Sequence, residues 1–218
     1  MISSEMRRWR VELLIHNYKL LIVILTILVV LIFAMSVKRV RTKDVVTLIS
    51  VSALIAAARG FFFFTPHIKP SSALLVIVGS AFGFMPGLVI GALSSVLSNF
   101  IFGQGPWTIF QMIGWGLVGA MGSLCKTRKV GVVAVFFLVL CVYSPLVNIA
   151  SAILMTNTLN MESFIMMTMS GFPLDMIHAV TSSIFIFYLW SPIHKRLGRL
   201  HDRYGVLKYG RGKSSCNL

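Results

Sequence analysis

The sequence predicts an all-α integral membrane protein: a six-helix bundle preceded by one extra N-terminal hydrophobic helix. Composition is the first reason. Apolar residues fill 57% of the 218 positions and charged residues only 12%, with a mean hydropathy of +0.87, whereas soluble domains carry about 25% charged residues. Run length is the second, because crossing about 30 Å of hydrocarbon at 1.5 Å per residue takes roughly 20 apolar residues, and fewer inside a bundle. The third is charge placement: 20 basic residues face 6 acidic ones, and the basic ones flank the apolar runs far more than they interrupt them.

Seven runs qualify, at 20–35, 45–64, 72–85, 87–102, 108–124, 130–155 and 172–190. They divide the chain into a basic leader with the extra helix and a linker (1–44), a six-helix membrane core (45–190), and a basic tail (191–218) too short and polar to form its own core. Arg7, Arg8 and Arg10 precede the first run as in a secretory signal, but a second long run follows at once, so an uncleaved anchor is expected. The third and fourth runs are parted only by Gly83-Phe84-Met85-Pro86-Gly87, which reads as a break between two helices or as one kinked hairpin. In the last run, Pro173 suits the first turn of a helix. Gly79, Gly83, Gly87 and Gly91 recur every four residues, and Ala53 and Ala57 share that spacing; both sets permit close backbone approach, within the bundle or against a partner.

Charge orients the bundle. With six core helices, segments 38–43, 126–129 and 195–213 gather fourteen basic residues on one side, against Lys69 on the other. The positive-inside rule then places those fourteen, and the C-terminus, in the cytoplasm of a multi-pass cell-membrane protein. Arg7, Arg8, Arg10 and Lys19 conflict with this if the first run crosses, since they would lie outside. The alternatives are a run along the inner face, or one that enters only part way.

Arg59 is the basic residue embedded in an apolar run, about 7.5 Å from the outer end of its helix. Asp175 is the acid of the last run, at similar depth, so an Arg59–Asp175 pair is expected, with either a structural or a substrate-contacting role. His178, three residues on, shares a helix face with Asp175 and extends the network. A second polar cluster follows the fourth run, with Ser98, Asn99, Gln104, Trp107, Thr108 and Gln111 around the turn formers Gly103, Gly105 and Pro106. Its amides beside the Trp107 ring suit a polar, ring-bearing ligand, or else make a capped hairpin with Trp107 in the interfacial aromatic belt. Both clusters fall on the outer side. The candidate substrate-binding residues are therefore Arg59, Asn99, Gln104, Trp107, Gln111, Asp175 and His178.

Other chemistry lacks its residues. No carboxylate pair at one depth, His-Glu-x-x-His or nucleophile elbow is present, so no catalytic residue is expected and the chain reads as no enzyme. Cys125, Cys141 and Cys216 are scattered without Cys-x-x-Cys spacing, which leaves no expected metal or cofactor. Gly212-Lys213-Ser214 ends like a phosphate-binding loop, but Leu207 stands where its first glycine belongs. Nucleic acid is not an expected partner either, because the basic residues adjoin apolar runs.

Four stretches carry a family resemblance: Ala56-Ala57-Ala58-Arg59-Gly60-Phe61, Lys69-Pro70, the segment 98–108 containing Phe102-Gly103-Gln104-Gly105-Pro106-Trp107, and Phe172-Pro173-Leu174-Asp175-Met176-Ile177-His178-Ala179. Together they resemble the substrate-binding S components of energy-coupling factor (ECF) vitamin transporters, in the branch that includes cobalamin uptake proteins. The resemblance spans about residues 45–203. It implies a six-helix core with both ends cytoplasmic and a subunit that captures a micronutrient at the outer face. It implies partners as well, a transmembrane coupling protein and two ATPases, with Ala53 and Ala57 as the coupling face. The branch favours cobalamin as substrate, while the amide-rich loops equally suit a smaller heteroaromatic vitamin. Two other functions fit the chain: an ion-coupled secondary transporter using Asp175, Arg59 and His178, which lacks the usual inverted repeat, and a membrane enzyme or assembly factor with structural polar residues.

Overall fold

A computed structural model describes residues 41–65, 67–156 and 160–207. The first hydrophobic run, its basic leader and Cys216 lie outside the described residues. The helices are α1 (Thr42–Phe61), α2 (Ser71–Phe82), α3 (Phe84–Phe102), α4 (Trp107–Gly122), α5 (Arg128–Leu138), α6 (Ser144–Thr156) and α7 (Met161–Tyr204). A π turn, Val139–Tyr143, joins α5 to α6 in one rod. Four rods, α1, α3, the α5–α6 rod and α7, are long and apolar enough to cross a bilayer. This is an all-α, multi-pass membrane protein. Its exposed apolar side chains, Ile49, Leu54, Phe100, Val133 and Phe187 among them, make a lipid-compatible surface.

Short connections alternate the rod directions and give the bundle two poles. At one pole the start of α1 meets the end of α7. Asp44, fully buried, accepts hydrogen bonds from Arg41 Nε at 3.0 Å and from the Leu207 backbone N–H at 2.8 Å. Arg41 and Lys43 donate to the carbonyls of Gly205 and Tyr204. The described basic residues of segments 126–129 and 195–203 belong to helix ends at this same pole, whereas Arg59 and Lys69 lie at the opposite one.

At the centre stands α2, every one of whose twelve residues is buried. At 1.5 Å per residue it is about 18 Å long, too short to span alone. Gly83 ends it with φ +99°, a conformation that glycine adopts without a Cβ clash. The chain then reverses into α3, where Pro86 occupies the first turn and needs no N–H partner. The break is thus the single residue Gly83 between two helices.

Glycines hold α2, α3 and α4 at backbone contact. A Cβ on Gly79 would lie 1.9 Å from the Gly119 carbonyl oxygen, one on Gly87 2.3 Å from the same atom, and one on Gly91 2.1 Å from the Trp115 carbonyl oxygen. Gly79, Gly87 and Gly91 therefore pack the bundle against itself, while Gly83 serves the turn. Ala53 and Ala57 differ: both are exposed on the side of α1 opposite Ser52, Ile55, Ala56 and Arg59.

Helix α7 corrects one expectation. It begins at Met161, not near Phe172, because Asn160 caps it by accepting the Ser163 N–H at 2.8 Å. Pro173 consequently sits inside the helix, and Asp175 follows four turns of helix instead of opening it. Ahead of Pro173, Met161, Met166, Met167 and Met169 are good helix formers, while Glu162, Ser163 and Thr168 keep the stretch from reading as an apolar run.

Candidate functional site

The pole remote from the basic ends carries a connected polar cluster. Arg59, in the last turn of α1, is 7% exposed and reaches across to α3. Its Nη1 donates to Ser98 Oγ at 2.6 Å and to Asn99 Oδ1 at 2.9 Å. Asn99 in turn donates from Nδ2 to Gln111 Oε1 at 2.7 Å and Thr108 Oγ1 at 2.9 Å, which ties α3 to α4. The Thr108 hydroxyl bonds Gln104 Oε1 at 3.1 Å, and Gln104 Nε2 donates to the Val96 carbonyl at 3.0 Å. Gly103, at φ +96°, lets the chain turn between the two helices. Asn99, Gln104 and Gln111 thus form one network with Arg59, as their shared side of the membrane predicts.

The expected Arg59–Asp175 ion pair does not form. Among the described residues the ion pair present is Arg41–Asp44. Arg59 projects from α1 onto α3, whereas Asp175 turns toward α6 and accepts from Asn148 Nδ2 at 3.3 Å. His178 does not bond Asp175 either; its Nε2 lies 3.1 Å from Ser72 Oγ on α2, and its ring meets the Tyr143 edge at 5.4 Å. Asp175 and His178 therefore line a second, neighbouring group on α2, α6 and α7.

Aromatic rings replace the missing carboxylate. The guanidinium carbon of Arg59 lies 4.2 Å from the Phe102 ring centroid and 5.2 Å from that of Trp115, and Lys69 Nζ lies 4.8 Å from the same Phe102 centroid. Two charge-assisted hydrogen bonds contribute about 1.5–3 kcal/mol each. Two ring faces add about 0.5–2 kcal/mol each, comparable with the several kcal/mol needed to bury the charge. Arg59 thus stays in place without an acid. Trp107, the ring the sequence nominated, is 38% exposed and folds back over Gly105, so it stands outside this network. Phe102 and Trp115 hold the position instead. Trp115 carried no signal, being one aromatic in an apolar run.

Phe63 and Lys69, from the connection between α1 and α2, both meet the Phe102 ring. Thr65 Oγ1 donates to the Phe62 and Ile68 carbonyls, at 3.0 and 3.2 Å. Burial holds the Lys69 amine below its ordinary value, and the Arg59 charge lowers it further. His67 is likewise lowered, by burial first and then by Lys69, while Asp175 pulls it the other way. Charge thus links Arg59 to Lys69, and both Lys69 and Asp175 to His67.

An apolar cavity of about 180 Å³ lies elsewhere, between α3 and α4, lined by Leu88, Ala92, Ile109, Met112 and Leu117 among others, and it includes no member of the polar cluster. Among the described residues no group of three or more His, Cys, Asp or Glu could hold a metal ion. No protein-family model, curated protein or solved structure matches this chain.

Proposed function

We propose that this chain is the substrate-binding S component of an ECF-type vitamin transporter, embedded in the cell membrane with its basic pole and C-terminus in the cytoplasm. The observation that carries the reading is the convergence of Arg59, Asn99, Gln104 and Gln111 on one network at the pole opposite the basic ends. The positive-inside rule makes that pole external, where a micronutrient would arrive. Intramembrane ionisable groups are costly and rarely idle, and Arg59 is held without a carboxylate. Ala53 and Ala57 offer a small-residue face on α1 that the bundle leaves uncovered, suited to a transmembrane coupling protein that works with two ATPases. Cobalamin and smaller heteroaromatic vitamins are the substrates to try first.

Purification from native membranes, followed by mass spectrometry of bound proteins and bound small molecules, tests the reading. Co-purification of a coupling protein, two ATPases and a retained micronutrient is the expected outcome. A chain that retains neither, or whose uptake follows an ion gradient without ATPases, would overturn it.

A further inference from the structure

Resting on the capture reading, the geometry points to a narrower substrate class: the outer site takes a ligand bearing a carboxylate or phosphate group, which the free edge of Arg59 grips together with Lys69. Arg59 spends only Nη1 on the protein, in its bonds to Ser98 and Asn99. Among the described residues its Nε, which is buried, makes no hydrogen bond, and none is made by Nη2. These two N–H groups form the side of the guanidinium that matches an oxyanion in parallel, bidentate fashion. A buried donor left unpaired is costly, so an acceptor belongs there.

A second orphan lies beside it. Trp115 is 1% exposed, its ring is 5.2 Å from the guanidinium carbon, and its Nε1 also lacks an acceptor. The Tyr143 ring lies 6.5 Å from that of Trp115, and no hydrogen bond to the indole N–H forms among the described residues. Lys69 supplies the second charge. Since its Nζ and the Arg59 Cζ lie 4.8 and 4.2 Å from one ring centroid, the two cations are at most about 9 Å apart, and among the described residues neither has an acidic partner within ion-pair distance. The nearby acid, Asp175, is engaged with Asn148. Two adjacent cations with a vacant donor fork discriminate against neutral and cationic ligands and favour an anionic one.

The test uses the full chain in nanodiscs. Thermal protection is measured with inorganic phosphate, acetate and neutral acetamide at constant ionic strength. Small molecules released by acid from protein purified out of native membranes are identified in parallel. Phosphate or acetate protects the wild type and acetamide does not. Lys69→Gln, which removes the charge at a partly buried loop position, weakens the protection about tenfold, and Arg59→Lys, which keeps the charge but loses the fork, weakens it at least as much. Equal protection by acetamide, no protection by either anion, or protection unchanged in both variants would overturn the oxyanion assignment. A released compound without any anionic group would overturn it too and leave capture standing. Anion protection without any released compound would support the oxyanion site and count against vitamin capture.

Discussion

Replacing Gly119 by Ala probes the contact on which the site's geometry depends. The added Cβ would lie 2.2 Å from the Gly87 carbonyl oxygen and 2.9 Å from its carbon, where ordinary contact begins at 3.4 Å. The obstacle is main chain and cannot rotate away, so α3 and α4 must part by about 1.2 Å. Overpacking costs about 1–3 kcal/mol, and this case belongs at the upper end. By the scaling of chains of this size, about 3 kcal/mol lowers Tm by about 6–12 °C. If the rods part rigidly, the Asn99–Gln111 and Asn99–Thr108 bonds, now 2.7 and 2.9 Å, stretch to about 4 Å and are lost. Gly198→Ala is the control, since nothing lies within 4 Å of that position; there the gain in helix propensity stabilises by up to about 1 kcal/mol. Thermal unfolding is followed with a thiol-reactive dye in a Cys141→Ser, Cys216→Ser background, where the buried Cys125 alone reports. Should Gly119→Ala melt with the parent or with Gly198→Ala, the backbone-contact account fails.

Three further outcomes are expected. Leu at both Ala53 and Ala57 abolishes co-purification with a coupling module while ligand retention stays normal, because both positions are exposed; undiminished complex yield would remove that face from the interface. Anion affinity weakens as pH rises through the lowered Lys69 value, below the ordinary lysine figure of about 10.4. Across the same window stability without ligand rises, because the unfolded chain there binds more protons than the folded one. Lys69→Arg keeps its charge and removes the weakening, and an identical profile in both proteins would exclude Lys69. Trp115→Ala destabilises by about 3–5 kcal/mol as a large buried aromatic, whereas Trp107→Ala stays within about 1 kcal/mol; comparable losses in the unfolding assay would show that the ring over Gly105 matters more than its exposure implies.

The rods were legible because apolar run length and bilayer thickness are linked by simple geometry. Thus the boundaries of α1, α3 and α4 fall within a few residues of the runs at 45–64, 87–102 and 108–124. Grouping Asn99, Gln104 and Gln111 also succeeded, since a tight turn must bring its flanks together. The pairing of Arg59 failed for a physical reason: depth in the membrane is encoded by position along a helix, but azimuth is set by neighbours. Arg59 and Asp175 share a pole, yet α1 packs on α3 and Asp175 faces α6. Trp107 was preferred to Trp115 because it stands among polar residues, while what decides cation–π contact is which ring is buried beside the charge. The early start of α7 escaped because its cap, Asn160, precedes a stretch that includes Glu162, Ser163 and Thr168 and so falls short of an apolar run.

The π turn at Val139–Tyr143 has a consequence for the rod beyond it. Such a turn accommodates one residue more than an α turn, and one residue corresponds to about 100° of rotation around a helix axis. Everything from Ser144 onward is therefore swung by about that angle relative to an uninterrupted helix. Asn148, beyond the turn, meets Asp175 with this offset in place. Deleting a single residue from the turn would preserve the rod yet rotate its far half by roughly a quarter turn, which makes this the place where a minimal change in chain length would dismantle the Asp175 side of the pole remote from the basic ends.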